Sequence, residues 1–409
     1  MERYDVVITG AGPAGLFCAI HAAAPGSRVL LLEKMTSPGN KLLLAGSGQC
    51  NITHDGETHS FLTRYGNHGK FLKPALLGFT NKNLIDFFSS RNLPMESRED
   101  GKIFPVSRKS SDVLRILLEE CAHKNVEIRC GEPVTSIRQE NGRFCITTTK
   151  MTCQTRYLVL STGGTSYPHT GSSGDGFFFA RTLGQSVTEI APALTPLIIK
   201  EFRFKSLAGL SFPAVEFSHW HSGKKVADYK GDVLITHHGI SGPGILDSSR
   251  FILPGDIIRL NFTHLKRDKF TRDFEEKIRQ QGARLIKSVL QSYPAPERLV
   301  KALMDAAGVP LDLTCSHLTG SLRNTLIQSF TEYPFIVERL GDYAIAMVTR
   351  GGIDLEQVNS KTMESKVIPN LFFAGEVLDI DGDTGGYNLQ AAFSTGFLAG
   401  KTIRSRIEQ

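Results

Sequence analysis

The sequence predicts an α/β protein interrupted by an insertion, and three observations carry that prediction. A short apolar run, residues 4–9, leads into Gly10-Ala11-Gly12-Pro13-Ala14-Gly15 and then into a helix-like stretch, residues 16–24. A second glycine cluster lies at the far end of the chain: Gly375-Glu376, Gly382, then Gly385-Gly386-Tyr387-Asn388 before another helical pattern. Between these ends the texture changes to short strand-like runs and then to charged helical periodicity.

The elements follow in order. Residues 4–9 read as a buried parallel strand, short and apolar, with glycine after it. Pro25-Gly26 ends the helix behind that strand. Residues 28–33, with Val29, Leu30, Leu31 and Leu32, are the second strand of a βαβ unit, whose crossover should be right-handed. A long glycine-rich loop, residues 37–53, comes next, and helical patterns cover residues 83–90 and 111–123. Residues 127–149 alternate as hairpin strands around the turn signal Asn141-Gly142. Residues 157–161 are a further buried strand, ending at Thr162-Gly163-Gly164. The predicted organisation is therefore a Rossmann-like nucleotide domain in two parts, residues 1–190 and 344–409. A β-barrel-like subdomain (residues 191–262) and a helical subdomain (residues 263–343) are inserted between them.

Composition narrows the function classes. The chain has 409 residues and a formal net charge of +6, with an ordinary soluble globular composition. The mild positive charge permits an acidic partner without demanding one, and there is no strong nucleic-acid signal. The basic stretch from Lys266 to Lys287 also carries Asp268, Asp273, Glu275 and Glu276, as a mixed solvated face does. Seven scattered cysteines without a CxxC pair exclude a disulfide framework and a zinc site, and they fit a reducing compartment. The charged start (Glu2, Arg3, Asp5) predicts no secretory signal, and no apolar run is long enough to span a membrane. A cytoplasmic location is expected, and oligomeric state is left open.

The motifs point to a dinucleotide. Gly10 permits the tight turn, Gly12 lets backbone approach a pyrophosphate, and Gly15 lets the helix pack on the strand. The helix N-terminus then offers N–H groups and a positive dipole to phosphate. Glu33, at the end of the second strand, is placed to accept hydrogen bonds from a ribose hydroxyl and would repel a 2′-phosphate, which excludes NADP from this site. One such motif with a second glycine cradle at the opposite end of the sequence suggests FAD, enclosed from both ends. At that second cradle, the helix starting near Tyr387 would direct its N-terminus at the flavin and stabilise negative charge on the reduced ring. The predicted cofactor contacts are Gly10, Gly12, Ala14, Gly15, Glu33, Lys34, Lys41, Gly48, Cys50, Asn51, Val134, Thr162, Gly163, Gly164, Gly375, Glu376, Asp379, Gly386, Asn388 and Leu389. Lys41 is expected to neutralise phosphate. Cys50 lacks a second thiol nearby, so a packing or backbone role is expected. His169, His238 and Tyr387 are candidates for proton transfer or substrate positioning. No metal is predicted: the pair His237-His238 has no companion ligands, and Asp379, Asp381 and Asp383 lack the later Glu of a calcium loop.

Taken together, GAGPAG, KLLLAGSGQCN, GKIFPVS, TGGTSYPHTGSSGDG, PALTPL, THHGISGP, TRGGI and FAGEVLDIDGDTGGYNLQAAFSTG resemble the BaiN/RdsA family of flavoproteins, which includes the HI0933-like and aminoacetone-oxidase-like proteins. The resemblance runs through most of the chain and implies FAD and a discontinuous Rossmann-like domain with an inserted β and helical region. Members commonly carry GRCNxTN, where this chain has Gln49 and His54, so a positive charge is absent at Gln49. The expected activity is hydride exchange between flavin N5 and a small organic substrate, with NAD(P)H as a transient co-substrate or O2 as the other redox partner. The alternatives are a peroxide-releasing amine oxidase and a flavin-dependent RNA-modifying protein.

Overall fold

In the computed structural model, which describes residues 1–409, the chain divides into two compact units. The first comprises Met1–Ala193 and Tyr343–Gln409, and the second Leu194–Asp342.

The first unit is built on a seven-stranded sheet. Glu2–Thr9 lies at its centre, flanked in parallel by Val29–Leu32 and Thr152–Leu160. All three strands are apolar on the two faces that helices cover, as a parallel sheet requires: Val6, Val7, Ile8, Leu30, Leu31, Leu158 and Val159 are fully buried. Glu127–Arg129 extends the sheet beyond Val29–Leu32, also in parallel. Thr152–Leu160 plays two parts along one edge. Its first half pairs antiparallel with Arg143–Thr148 in a meander that continues to Val134–Glu140, and its second half pairs in parallel with Leu371–Phe373 from the far end of the chain. The hairpin turn falls at Asn141 and Gly142, both at positive φ, which fits the type I′ chemistry of Asn-Gly.

The first helix, Pro13–Ala22, and the last, Tyr387–Ile407, pack against each other with almost nothing between their backbones. A Cβ added at Gly396 would lie 2.5 Å from the Ala14 carbonyl oxygen, and one at Gly400 would lie 2.5 Å from that of Cys18. The contacts step from 14 to 18 as they step from 396 to 400, so the helices run in the same direction. Phe17 fills the space beside this crossing, its ring meeting those of Phe79, Phe87 and Phe393 edge-on at 4.9–5.2 Å. The loop of residues 37–53 is less irregular than its glycines predict, because Asn40–Leu44 forms a short helix. Around it stand a small antiparallel sheet (Thr53–His54, Lys102–Pro105, Met95–Ser97) and the helices Gly69–Gly78, Asn81–Ser89 and Ser110–His123. Asn81–Ser89 starts on a capping box, with Thr80 accepting from the Asn83 amide. Ala191–Ala193 and Val348–Arg350 pair antiparallel where the chain leaves and re-enters this unit.

The second unit is a closed antiparallel barrel. Its strands follow the order Leu197–Ile199, Gly239–Ser241, Lys224–Ile235, Ser211–His221, Ile257–Asn261 and Tyr333–Leu340. Four helices, Arg267–Gln280, Ile286–Leu290, Glu297–Ala306 and Gly320–Thr331, form between the last two barrel strands. Residues 333–340 are thus strand, where periodicity alone predicts helix. The barrel and these helices share one core, in which Phe270, Phe274 and Phe330 pack together with Leu260 and Phe335.

A branched side chain at Gly396 should push the two glycine-contacted helices apart. Gly396→Val is expected to cost about 1–3 kcal/mol of stability, read as a lower Tm by circular dichroism. Lys401→Ala, one turn further on the exposed side, should leave Tm unchanged.

Candidate functional site

The glycine motif forms the tight link that its spacing predicts. Gly10 sits at φ +95°, its amide donates to the Leu32 carbonyl at 2.7 Å, and a Cβ there would lie 2.6 Å from the Ser161 carbonyl oxygen. Only glycine satisfies both demands. Gly12 is different: a Cβ there would meet nothing within 4 Å, so its backbone faces open space at the start of the first helix. That helix begins Gly12-Pro13-Ala14-Gly15 with no side-chain cap, leaving its first amides to a ligand. Glu33 braces the loop, one carboxylate oxygen accepting from the Ala11 amide at 2.9 Å and the other from Met35 at 2.8 Å. Each oxygen keeps a free lone pair for a ribose hydroxyl. The segment leading to Val134 runs alongside, with the Glu132 amide donating to the Glu33 carbonyl at 3.0 Å. Lys34 pairs with Asp175 at 2.7 Å and also donates to Ser173.

The C-terminal cradle folds around Glu376. Its carboxylate takes Lys41 Nζ at 2.7 Å, Ser166 Oγ at 2.9 Å and the Thr349 amide at 2.9 Å, and Lys41 also donates to Ser166 at 2.5 Å. Thr349 Oγ1 accepts in turn from the Thr165 amide at 2.8 Å and the Ser166 amide at 3.1 Å. Gly164 lies against this cluster, where any side chain would collide with Thr349. The sequence reading names Lys41 and Glu376 as cofactor contacts; Ser166 and Thr349 fall within its motifs TGGTSYPHTGSSGDG and TRGGI but receive no role there, because they sit 125 and more residues from Lys41 in the chain. Asp379 accepts from Thr188 Oγ1 at 2.9 Å. With His68 and Asp381 it forms a trio whose donor atoms lie within 4.8 Å of one another.

Gly386, at φ +96°, is the N-cap of the last helix and presses on the Thr53 backbone, and that helix also begins without a side-chain cap. Asn388 does not project away from the cradle loop. Its side chain accepts from the Gly382 amide at 2.8 Å and donates to the Gly382 carbonyl at 2.9 Å, holding residues 382–388 in shape. Leu389 packs against the core of this unit. Beneath the helix start lies a buried polar relay that the sequence reading also misses: Thr53 Oγ1 donates to Gln390 Oε1 at 2.6 Å, and both Gln390 and Ser394 donate to the Phe79 carbonyl.

The three proton-transfer candidates have different surroundings. Tyr387 is buried; its ring stacks on His54 at 5.2 Å and 13°, and its carbonyl accepts from Tyr65 Oη at 2.8 Å. His169 is exposed on a short 3-10 turn beside Tyr167. His238 is exposed on the barrel turn between Lys224–Ile235 and Gly239–Ser241, in the other unit. Cys50 is fully buried at φ +61°, and burial pushes its thiol up to about 12. Gly48 precedes it in the same left-handed stretch.

Two buried polar atoms of residues predicted to touch the cofactor have no protein partner, Thr162 Oγ1, which lies against Gly176, and Asn51 Oδ1. Together with two uncapped helix N-termini and the open space at Gly12, they make a donor and acceptor set that fits an anionic dinucleotide such as FAD.

Two outcomes follow from this geometry. Lys41→Met leaves the Glu376 carboxylate without its cation and should cost about 1–2 kcal/mol, because the pair is partly solvent-screened. The double change Lys41→Met with Glu376→Gln should recover most of that loss in thermal denaturation. At pH 8 roughly one Cys50 thiol in ten thousand is ionised, so iodoacetamide should leave Cys50 unlabelled in the folded protein and label it after denaturation, as mass spectrometry would read.

The comparisons with known proteins establish the family and the fold. The family model described as the HI0933-like protein Rossmann domain matches residues 4–402. A ribosomal RNA dihydrouridine synthase of Escherichia coli (strain K12) is 31% identical over 98% of this chain and 98% of its own. A 3-dehydro-bile acid delta(4,6)-reductase of Clostridium scindens is 28% identical over 99% of this chain and 100% of its own. Among solved structures, a 3-ketosteroid-delta4-(5alpha)-dehydrogenase of Rhodococcus jostii RHA1 shares the fold, with a TM-score of 0.51 at 14% identity, covering 100% of this chain and 97% of that one. No helix here is long and apolar enough to cross a membrane. The chain belongs to the HI0933-like Rossmann-domain family and is a FAD-dependent oxidoreductase.

Proposed function

We propose that this protein reduces a carbon–carbon double bond conjugated to a carbonyl, and that its substrate is the uracil ring of uridine in ribosomal RNA. The observation that carries this reading is the full-length likeness to the ribosomal RNA dihydrouridine synthase of E. coli. Dihydrouridine is uridine whose C5–C6 double bond, conjugated to the C4 carbonyl, has been saturated. The bile acid reductase has a steroid name, yet a 3-oxo group conjugated to C4 and C6 double bonds poses the same chemical problem. The class of reaction is common to both names, while the substrates are not.

The balance of the reaction sets what the site must do. The ring gains a hydride at C6 and a proton at C5, and a two-electron donor such as NAD(P)H is consumed. FAD, when bound, supplies the hydride chemistry. The chain's own residues hold and polarise. The amides of Gly12, Ala14 and Gly15 and the helix dipole receive the pyrophosphate, Glu33 receives the ribose, and the uncapped start of the helix Tyr387–Ile407 offers N–H groups to negative charge. The chain carries no second GxGxxG motif, so nicotinamide would act as a transient co-substrate rather than a resident one. A second reading, reduction of a free enone such as an oxo-steroid, is favoured by the Clostridium relative alone.

The test is anaerobic. NADH or NADPH should bleach the oxidised-flavin spectrum of the holoprotein, and ribosomal RNA transcribed without modifications should then reoxidise it and yield dihydrouridine by nucleoside mass spectrometry. Turnover of an oxo-steroid enone with no dihydrouridine formed would replace the first reading by the second.

A further inference from the structure

We propose that residues 58–85 form the surface on which the RNA phosphates flanking the target base lie, an inference that rests on the ribosomal RNA reading above. Of the 409 residues 41 are acidic, yet none falls in this run, which carries Arg64, Lys70, Lys73 and Lys82 with His59 and His68; Lys82 pairs with Glu57 just outside it at 3.4 Å, which leaves Lys70 and Lys73 as its unpaired lysines.

The fold turns that composition into a face. The helix Gly69–Gly78 buries Leu72, Ala75 and Leu76 and leaves Lys70 and Lys73 exposed. Three residues apart, the two lysines share one side of the helix. Neither has a carboxylate within ion-pair distance, so both charges are available to a ligand. The adjoining turn exposes Asn67, an amide of the kind that contacts phosphate and sugar, while the Ser60 and Thr63 hydroxyls beside it donate to the Glu57 and Ser60 carbonyls. The basic helix Arg267–Gln280 in the other unit contrasts with this face: its cations are interspersed with Asp268, Asp273, Glu275 and Glu276, and Lys277 is paired with Asp273 at 2.8 Å.

Position gives the face its role. The run is bonded to the loop that precedes the last helix: the Asp383 amide donates to the Arg64 carbonyl at 3.0 Å, and Tyr65 Oη donates to the Tyr387 carbonyl at 2.8 Å. The Arg64 guanidinium lies 5.6 Å from the centre of the Tyr387 ring and 3.5 Å from Asp383. A polyanion held along Lys73, Lys70 and Arg64 is therefore led to the cradle loop itself. Phosphate contacts of this kind set affinity and register and leave base choice to the site.

The experiment compares holoprotein variants in binding a fluorescently labelled, unmodified ribosomal RNA fragment as salt is raised. Lys70→Glu with Lys73→Glu should weaken binding roughly ten-fold at 0.1 M salt and flatten the log K against log salt slope by about 1.4. Lys70→Arg with Lys73→Arg should bind as wild type does, and the flavin content of both should match it. The proposal fails if the Glu pair binds as wild type does, or if Lys269→Glu with Arg272→Glu on the other unit abolishes binding while the Glu pair does not. In those cases dihydrouridine formation by wild type keeps the ribosomal RNA reading intact. Wild type that neither binds the fragment nor forms dihydrouridine overturns both.

Discussion

Two helices from opposite ends of the chain touch backbone to backbone, and the site is organised around that contact. Gly396 and Gly400 bring the last helix against Ala14 and Cys18 of the first, and the two run in the same direction. Parallel helix dipoles side by side are unfavourable, and here neither positive end has a side-chain cap. Dense packing around Phe17 offsets part of this cost. An anion at the helix starts offsets more, because each uncapped terminus carries about half a positive charge and several unsatisfied N–H groups. The packing that joins the chain ends thus creates the electrostatic demand that a dinucleotide meets.

The charged side chains follow the same logic. Lys41, read from sequence as a partner for phosphate, is already engaged by Glu376 and Ser166. The net charge of that pair is zero, so the amides of Gly12, Ala14 and Gly15 and the helix dipole must carry most of the attraction for pyrophosphate. The pair instead ties together chain segments at residues 41, 166, 349 and 376. Thr349 lies in the strand through which the chain re-enters this unit, so the polar cluster in the cradle also anchors that strand.

The βαβ start was legible because all its parts are adjacent: the apolar run, the glycines, the helix and Glu33 fall within residues 4–33. The C-terminal cradle was legible for the same reason. What escaped depends on partners far away in sequence. Residues 333–340 follow a long helical stretch, and only pairing with Ile257–Asn261 and Leu197–Ile199 makes them a barrel strand. Thr53, Gln390 and Ser394 read as unremarkable polar residues until the fold joins Thr53 to Gln390 and sets Gln390 and Ser394 on the Phe79 carbonyl. Asn388 was legible as a cradle residue, yet the use of its amide on the Gly382 backbone was not. The acid-free run 58–85 stood in plain sight, but its meaning depends on the bonds from Arg64 and Tyr65 to the cradle loop.

The departures at Gln49 and His54 divide along the same line. Gln49 is exposed, so the side chain that replaces the family's arginine is open to solvent and to any ligand that reaches this turn. His54 is different in kind. It stacks flat on Tyr387 while its ring nitrogens reach the carbonyls of Asp55 and Asp100, both at 3.1 Å. A carbonyl oxygen only accepts, so the neutral imidazole can donate to one of the two, and that bond together with the stacked tyrosine fixes the ring plane. An asparagine at this position could satisfy the carbonyls but offers no ring for Tyr387 to lie against. The aromatic pair beside the start of the last helix is therefore a property of this chain's own sequence, held rigid by contacts that do not depend on any ligand.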